Sequence, residues 1–132
     1  MKRLTMLAAV LLILAAVPFA LASAGPGKFE STLSGKGANT GHGGLDGTWT
    51  IDLANPTSGK LKLTWNGDRN GGGEYAISGT TITLTPKKDG KCKTTAEYAL
   101  KLSGQTLTFT PIKDTCEVRR DVLTFGPWMK IG

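Results

Sequence analysis

From Leu45 onward the chain alternates apolar and polar side chains in short runs. Trp49, Ile51 and Leu53 alternate with Thr48, Thr50 and Asp52, and Leu61, Leu63 and Trp65 alternate with Lys60, Lys62 and Thr64. A period of two marks a strand with one face buried and one face wet. The pattern is then written twice. Glu74-Tyr75-Ala76-Ile77, Ser78-Gly79 and Thr81-Ile82-Thr83-Leu84-Thr85-Pro86 form the first copy. Glu97-Tyr98-Ala99-Leu100, Ser103-Gly104 and Thr106-Leu107-Thr108-Phe109-Thr110-Pro111 form the second. Each copy predicts a strand, a glycine turn, a second strand and a proline that ends it. Leu123, Phe125 and the Trp128-Met129-Ile131 group predict a last strand, bent at Gly126-Pro127. No helical period is expected in this part of the chain.

The connections decide how these strands associate. Asn55-Pro56-Thr57-Ser58-Gly59 reads as a turn cluster. Asn66-Gly67 is read as the start of a mobile, glycine-rich loop reaching Gly73. One hairpin cannot bury its apolar face alone, so the repeated hairpins must share a core. Short links make consecutive strands antiparallel neighbours. The fold class expected is all-β, an up-and-down meander of about seven to eight strands. Such a sheet forms a β-sandwich or a closed barrel, and closure is favoured because it removes two exposed edges. An antiparallel barrel needs an even count. The eighth strand would come from splitting the last one or from residues 25–44.

Residues 1–24 read as a secretory signal. Lys2 and Arg3 precede an apolar run over residues 7–14, and Ala22-Ser23-Ala24 forms a small-residue cleavage site before Gly25. The run is shorter than the roughly 20 residues of a spanning helix, so stable membrane insertion is not expected after removal. The implied location is extracellular or periplasmic. Residues 25–44 are rich in Gly, Ser, Thr and Lys, with Phe29 and Leu33 as the bulky apolar side chains. They read as a flexible tail before a domain over residues 45–132.

Removing 24 of the 132 residues leaves 108, enough for one domain with one core. Lys2 and Arg3 leave with the leader, so 14 basic residues face 10 acidic ones, a net charge of +4. Lys87, Lys88, Lys91 and Lys93 are the densest basic group. No aromatic residue is interleaved among them to stack a base, so they read as a solvated loop and no nucleic-acid partner is expected.

Two cysteines in a secreted chain favour one disulfide. With Ser103-Gly104 as a hairpin tip, Cys92 and Cys116 lie equally far on either side and would bridge the base of the hairpin. A zinc site would need further ligands, and the single histidine, His42, lies in the glycine-rich stretch.

At Leu45-Asp46-Gly47-Thr48-Trp49 the chain resembles the calycin superfamily of lipocalins, fatty-acid-binding proteins and avidins. Those families place a Gly-x-Trp at the start of the first barrel strand and an Arg near or in the last. Gly47 and Trp49 match the first part, and Arg119 or Arg120 would supply the second. The resemblance implies that Trp49 closes one barrel end with an arginine packed across it. Tyr75-Ala76-Ile77-Ser78-Gly79 and Asp114-Thr115-Cys116 with Arg119 are also similar to small secreted bacterial lipocalin-like proteins. The departures are a missing helical segment beside the barrel, no Thr-Asp-Tyr motif, and Thr50-Ile51 where avidins carry their biotin-contacting Asn.

Catalytic chemistry finds little support. A lone His in a glycine-rich stretch gives no convincing base for Ser or Cys nucleophiles. Glu74 and Glu97 occupy matching repeat positions, but each stands beside an inward-phased Tyr and should face water. Trp49, Trp65, Tyr75, Tyr98 and Phe109 share the inward phase of their strands and are the candidate ligand-binding residues. With them run Ile51, Leu53, Leu61, Leu63, Ile77, Ile82, Leu84, Leu100, Leu107, Leu123 and Phe125. An eight-stranded barrel is just wide enough to be filled by side chains or to hold one small ligand. So many bulky residues make a filled core the expectation. Two functional readings follow, neither of them an enzyme and neither with a cofactor or metal. One is a lipocalin-like carrier of a small apolar ligand. The other is a secreted interaction or protease-inhibitor module on a disulfide-stapled scaffold.

Overall fold

The computed structural model describes residues 27–34 and 45–132, in which eight antiparallel strands close in sequence order into a barrel. They are β1 (Gly27–Leu33), β2 (Gly47–Leu53), β3 (Ser58–Trp65), β4 (Asp68–Ser78), β5 (Thr81–Pro86), β6 (Ala96–Ser103), β7 (Thr106–Lys113) and β8 (Trp128–Lys130). One helix, α1 (Glu117–Thr124), joins β7 to β8. The all-β meander and its closure are as the short connections require. The expected leader and its Ala24-Gly25 cleavage site lie outside the described residues, as does most of the expected tail.

Part of that tail is corrected. Gly27–Leu33 is a full strand, paired along its length with β2 from Gly27↔Leu53 to Leu33↔Gly47. Phe29, Ser31 and Leu33 are buried, and Lys28 and Thr32 are exposed, so the strand keeps a clean period of two. The signal was weak because a serine occupies the middle inward position. Ser31 fits there because Gly126, in the connection after α1, comes close above it.

The loop expected over residues 66–73 is also corrected. Asn66 (φ 51°) and Gly67 (φ 85°) form a two-residue hairpin turn, and β4 begins directly at Asp68. Positive φ at both central positions is the turn that matches the twist of paired strands, and Asn-Gly is its preferred sequence. Gly79 and Gly104, each at φ 61°, lead the two turns of the repeated hairpins.

The last strand is shorter than expected and a helix precedes it. Residues 117–124 carry Val118, Val122 and Leu123 on one side, and Val122 and Leu123 are buried against the barrel. The apolar spacing 118, 122, 125 is helical, but over eight residues it also permits the alternating reading of Leu123 and Phe125. Glu117 stands in the first turn, where a negative charge suits the helix dipole.

β8 closes the barrel with three residues. Met129 and Lys130 pair with Glu30 and Phe29 of β1, and Trp128 and Met129 pair with Leu107 and Thr106 of β7. Trp128 is fully buried, its Nε1 donates to the Leu123 carbonyl at 3.1 Å, and its ring meets Phe109 edge-on at 6.0 Å. Phe109 in turn meets Tyr98 edge-on at 6.0 Å. Phe29, Ile51, Leu53, Ile82, Leu84 and Leu107 complete the centre of the core.

Because β1 carries three buried side chains and one seam of the closure, a chain beginning at Leu45 should fail to fold. Loss of near-UV circular dichroism and of dispersed amide resonances would show this. Trp128→Ala should destabilise the full domain by roughly 3–5 kcal/mol in chemical denaturation, with Trp128→Phe recovering part of the loss.

Candidate functional site

An antiparallel meander sends alternate connections to the same end. Here the Asn66-Gly67 turn, the β5–β6 loop over residues 87–95 and the β7–α1 connection share one end of the barrel. A cavity of about 530 Å³ opens at that end. Trp49, Leu61, Leu63 and Trp65 form one wall, Val118 and Val122 of α1 form another, and the loop from Lys87 to Cys92 runs along the rim.

The cavity exists although most inward positions are bulky, and β4 is the reason. Gly71 lies opposite Leu63 and lines the cavity without a side chain, and Gly73 lies opposite Leu61. At Gly71 an added Cβ would meet Leu63 only at ordinary contact distance, 3.4 Å. At Gly73 it would stand 2.1 Å from the Thr85 carbonyl oxygen, so close approach of β5 excludes a side chain there. The expectation of a filled core is therefore corrected for this end of the barrel.

Trp49 and Trp65 are register partners on β2 and β3, stacked with centroids 5.6 Å apart and planes 16° from parallel. Their indole nitrogens donate to the Leu45 and Asp46 carbonyls, each at 2.9 Å. Both rings are thereby held flat against the wall. Gly47 makes this possible. A Cβ on it would stand 2.4 Å from Asn66 Oδ1 and 2.6 Å from Trp65 Nε1, and its φ is 139°. Asn66 Oδ1 accepts from the Thr48 amide at 2.9 Å, locking the turn over the start of β2.

The other proposed aromatics lie elsewhere. Tyr75 seals the opposite end, where its hydroxyl donates to the Asn55 carbonyl at 2.7 Å and accepts from the Asn55 amide at 2.9 Å. Burial pushes its phenol above the ordinary range, with the Asp52 charge adding to the shift and the Asn55 hydrogen bond opposing it. Tyr98 and Phe109 belong to the packed cluster with Trp128 and do not line the cavity. Glu74 and Glu97 are exposed on the outer face.

The arginine expected over the Trp49 ring has another partner. Arg119 lines the cavity, but its Nε and Nη2 donate to the two Asp114 oxygens at 2.9 and 2.7 Å. The ring resting on Trp49 is that of Trp65. Arg120 is half-buried on α1, with its backbone amide donating to the Cys116 carbonyl at 3.0 Å. Asp114 also accepts from the Tyr98 hydroxyl and from the Cys116 amide at 2.9 Å. Burial by itself would raise the Asp114 carboxyl. The bonds from Arg119, Tyr98 and Cys116 outweigh that and hold it below its ordinary 3.8. Burial and the bond to Asp114 push the Tyr98 phenol far up, so it stays a neutral donor.

Cys92 and Cys116 form the expected disulfide, with Cα atoms 5.6 Å apart. It ties the rim loop to the residue before α1. Thr94 and Thr115 add a hydroxyl bond at 2.9 Å beside it. The hairpin register differs from the expected one, because Ser103 pairs with Thr106 and a bulge follows at Glu97/Tyr98. Among the described residues no three His, Cys, Asp or Glu side chains come together as a metal site, and His42 lies outside them.

Sequence reasoning missed the helical wall, quoted Asp114 with Arg119 only within a resemblance and not as an ion pair, and read the rim loop only as solvated. The Lys87-Lys88 and Lys91/Lys93 cluster was the one visible sign of the rim. Set against family models, curated proteins and solved structures, the chain matches none.

Asp114 adds stability that is complete above pH 3.8 and is lost as pH falls below it toward the lower folded value. Asp114→Asn should cost roughly 3 kcal/mol at neutral pH, since it breaks a buried pair. The gap from wild type in urea denaturation should narrow as pH drops below 3.8. A Cys92→Ser and Cys116→Ser double variant should lose about 2–5 kcal/mol, and thiol titration of the native protein should find no reactive group.

Proposed function

We propose that this protein is a secreted, non-enzymatic carrier that holds a small apolar ligand in the open end of a lipocalin-like barrel. The cavity carries this reading. Its volume of about 530 Å³ falls in the ~300–1,000 Å³ range of small-molecule sites. Its deeper walls are two stacked indoles with leucine and valine side chains, and the polar lining residues come mainly from β4, the rim loop and α1. The closed eight-stranded barrel is compatible with a lipocalin-like fold, although Gly47 and Trp49 open its second strand, not the first as the calycin pattern has it. The disulfide is consistent with an extracellular or periplasmic location.

The interaction-module reading draws on the stapled loop over residues 87–95. That loop borders the cavity, so the same staple equally serves a carrier by fixing the mouth. The two readings part on occupancy. A carrier binds a small molecule inside the barrel, and an interaction module does not.

Incubating the purified protein with mixed lipids and then measuring intact mass under native conditions should reveal a bound small molecule. Gly71→Val should fold, because valine suits a strand and its Cβ would meet Leu63 at ordinary contact distance, 3.4 Å. It should also reduce occupancy at least severalfold and weaken the ligand-induced change in tryptophan fluorescence. Equal occupancy in the wild-type and filled proteins would refute the carrier.

A further inference from the structure

The charged groups around this cavity are one-sided. Arg69, Lys87, Lys91 and Arg119 line it, against a single carboxylate, Asp89. Arg119 is matched by Asp114 behind it, which leaves Arg69, Lys87 and Lys91 as the positive charges at the mouth. Lys88 and Lys93 lie in the same loop and add to the local field. The apolar walls lie deeper, on β2, β3 and α1. An apolar interior beneath a cationic rim is complementary to a molecule with a hydrocarbon body and a negative head.

The rim is held in place rather than left to solvent. Gly90 N donates to the Lys87 carbonyl at 3.2 Å, Lys93 Nζ donates to the Lys88 carbonyl at 3.1 Å, and Cys92 is bonded to Cys116. The Lys87 stem lies across β4, where a Cβ on Gly72 would stand 2.7 Å from its Cε and 3.2 Å from its Nζ. Gly72 pairs with the exposed Lys62, so its missing side chain seats the Lys87 stem on the outer side of β4, beside the rim that Lys87 helps to line. A loop backbone fixed before a ligand arrives loses little freedom on binding it.

We propose that the ligand is a single-chain amphiphile with an anionic head, its chain against Trp49 and Trp65 and its head among Lys87, Lys91 and Arg69. The inference rests on the carrier reading and names the ligand class for the same site. The shared chemistry is a small anionic head, whether carboxylate or phosphate.

Isothermal titration with decanoate, decyl phosphate and decan-1-ol, all below micelle formation, tests it. The two anions should bind about five- to tenfold more tightly than the alcohol, the scale expected of a few partly exposed charge contacts. Raising the salt from about 0.1 M to about 1 M shortens the screening length from about 10 Å to 3 Å and should erase most of that preference. Lys87→Gln with Lys91→Gln should bring the anions down to the alcohol's affinity while leaving the alcohol unchanged. Lys60→Gln with Lys101→Gln removes the same charge from the outer faces of β3 and β6 and should preserve the preference. The ratio of decanoate to decyl phosphate affinity distinguishes the two heads. Equal binding of alcohol and anions, unaffected by the rim variants, would overturn the anionic assignment and leave the carrier standing. No binding of any of the three, with an empty protein after the lipid soak, would overturn both.

Discussion

The whole architecture depends on a seam three residues wide. β8 pairs with two residues of β1 and two of β7, with backbone bonds from Lys28 to Gly132, Ile131 to Lys28 and Lys130 to Gln105 beside them, and without it the meander would be an open sheet with two exposed edges. So few ladder bonds, each worth about 1 kcal/mol net, would hold such a seam poorly. Trp128 supplies the missing strength. Its ring is fully buried in the packed cluster, and its indole nitrogen is bound to the end of α1. The strand is thereby held from inside the barrel as well as along its edge. The helix has a topological part in this, because it carries the chain from the end of β7 to the point where β8 can begin.

The two ends of the barrel are closed to different degrees, and glycine placement accounts for the difference. At one end Gly59 gives Tyr75 room to reach the backbone of Asn55, and the end is sealed by paired hydrogen bonds. At the other end Gly47 lets Trp65 and Asn66 cross the start of β2, and the two indoles stack along the wall. Gly71, opposite Leu63, then leaves the facing wall bare. The same residue type closes one end by admitting a side chain and opens the other by lacking one.

The mouth is organised by Asp114. Its carboxylate gathers Arg119 from α1, Tyr98 from β6 and the amide of Cys116, itself half of the disulfide. A buried carboxylate with this many donors fixes the direction in which the chain leaves β7. The disulfide passes that position on to the loop over residues 87–95. Helix, loop and strand ends at the mouth therefore share one polar anchor and one covalent tie.

Sequence alone determined what depends on local period and count. Alternation over β2, β3 and the repeated hairpins, glycine at the turns and two cysteines in one chain carry strands, antiparallel order and the disulfide, because each rests on residues close in sequence or on simple pairing. β1 was legible only in part, since Ser31 interrupts its apolar phase, and α1 was hidden because eight residues fit two periods. The Asn66-Gly67 turn was fully written in the chain, yet the glycines after it suggested a loop. Those glycines are strand positions that only a neighbouring strand can explain: Thr85 excludes a side chain at Gly73, and Lys87 crowds Gly72. The cavity, the stacked indoles and the Asp114 junction were decided by the tertiary structure. Each is made where distant segments approach, and whether an inward residue fills a barrel depends on what stands opposite it, which no local pattern records.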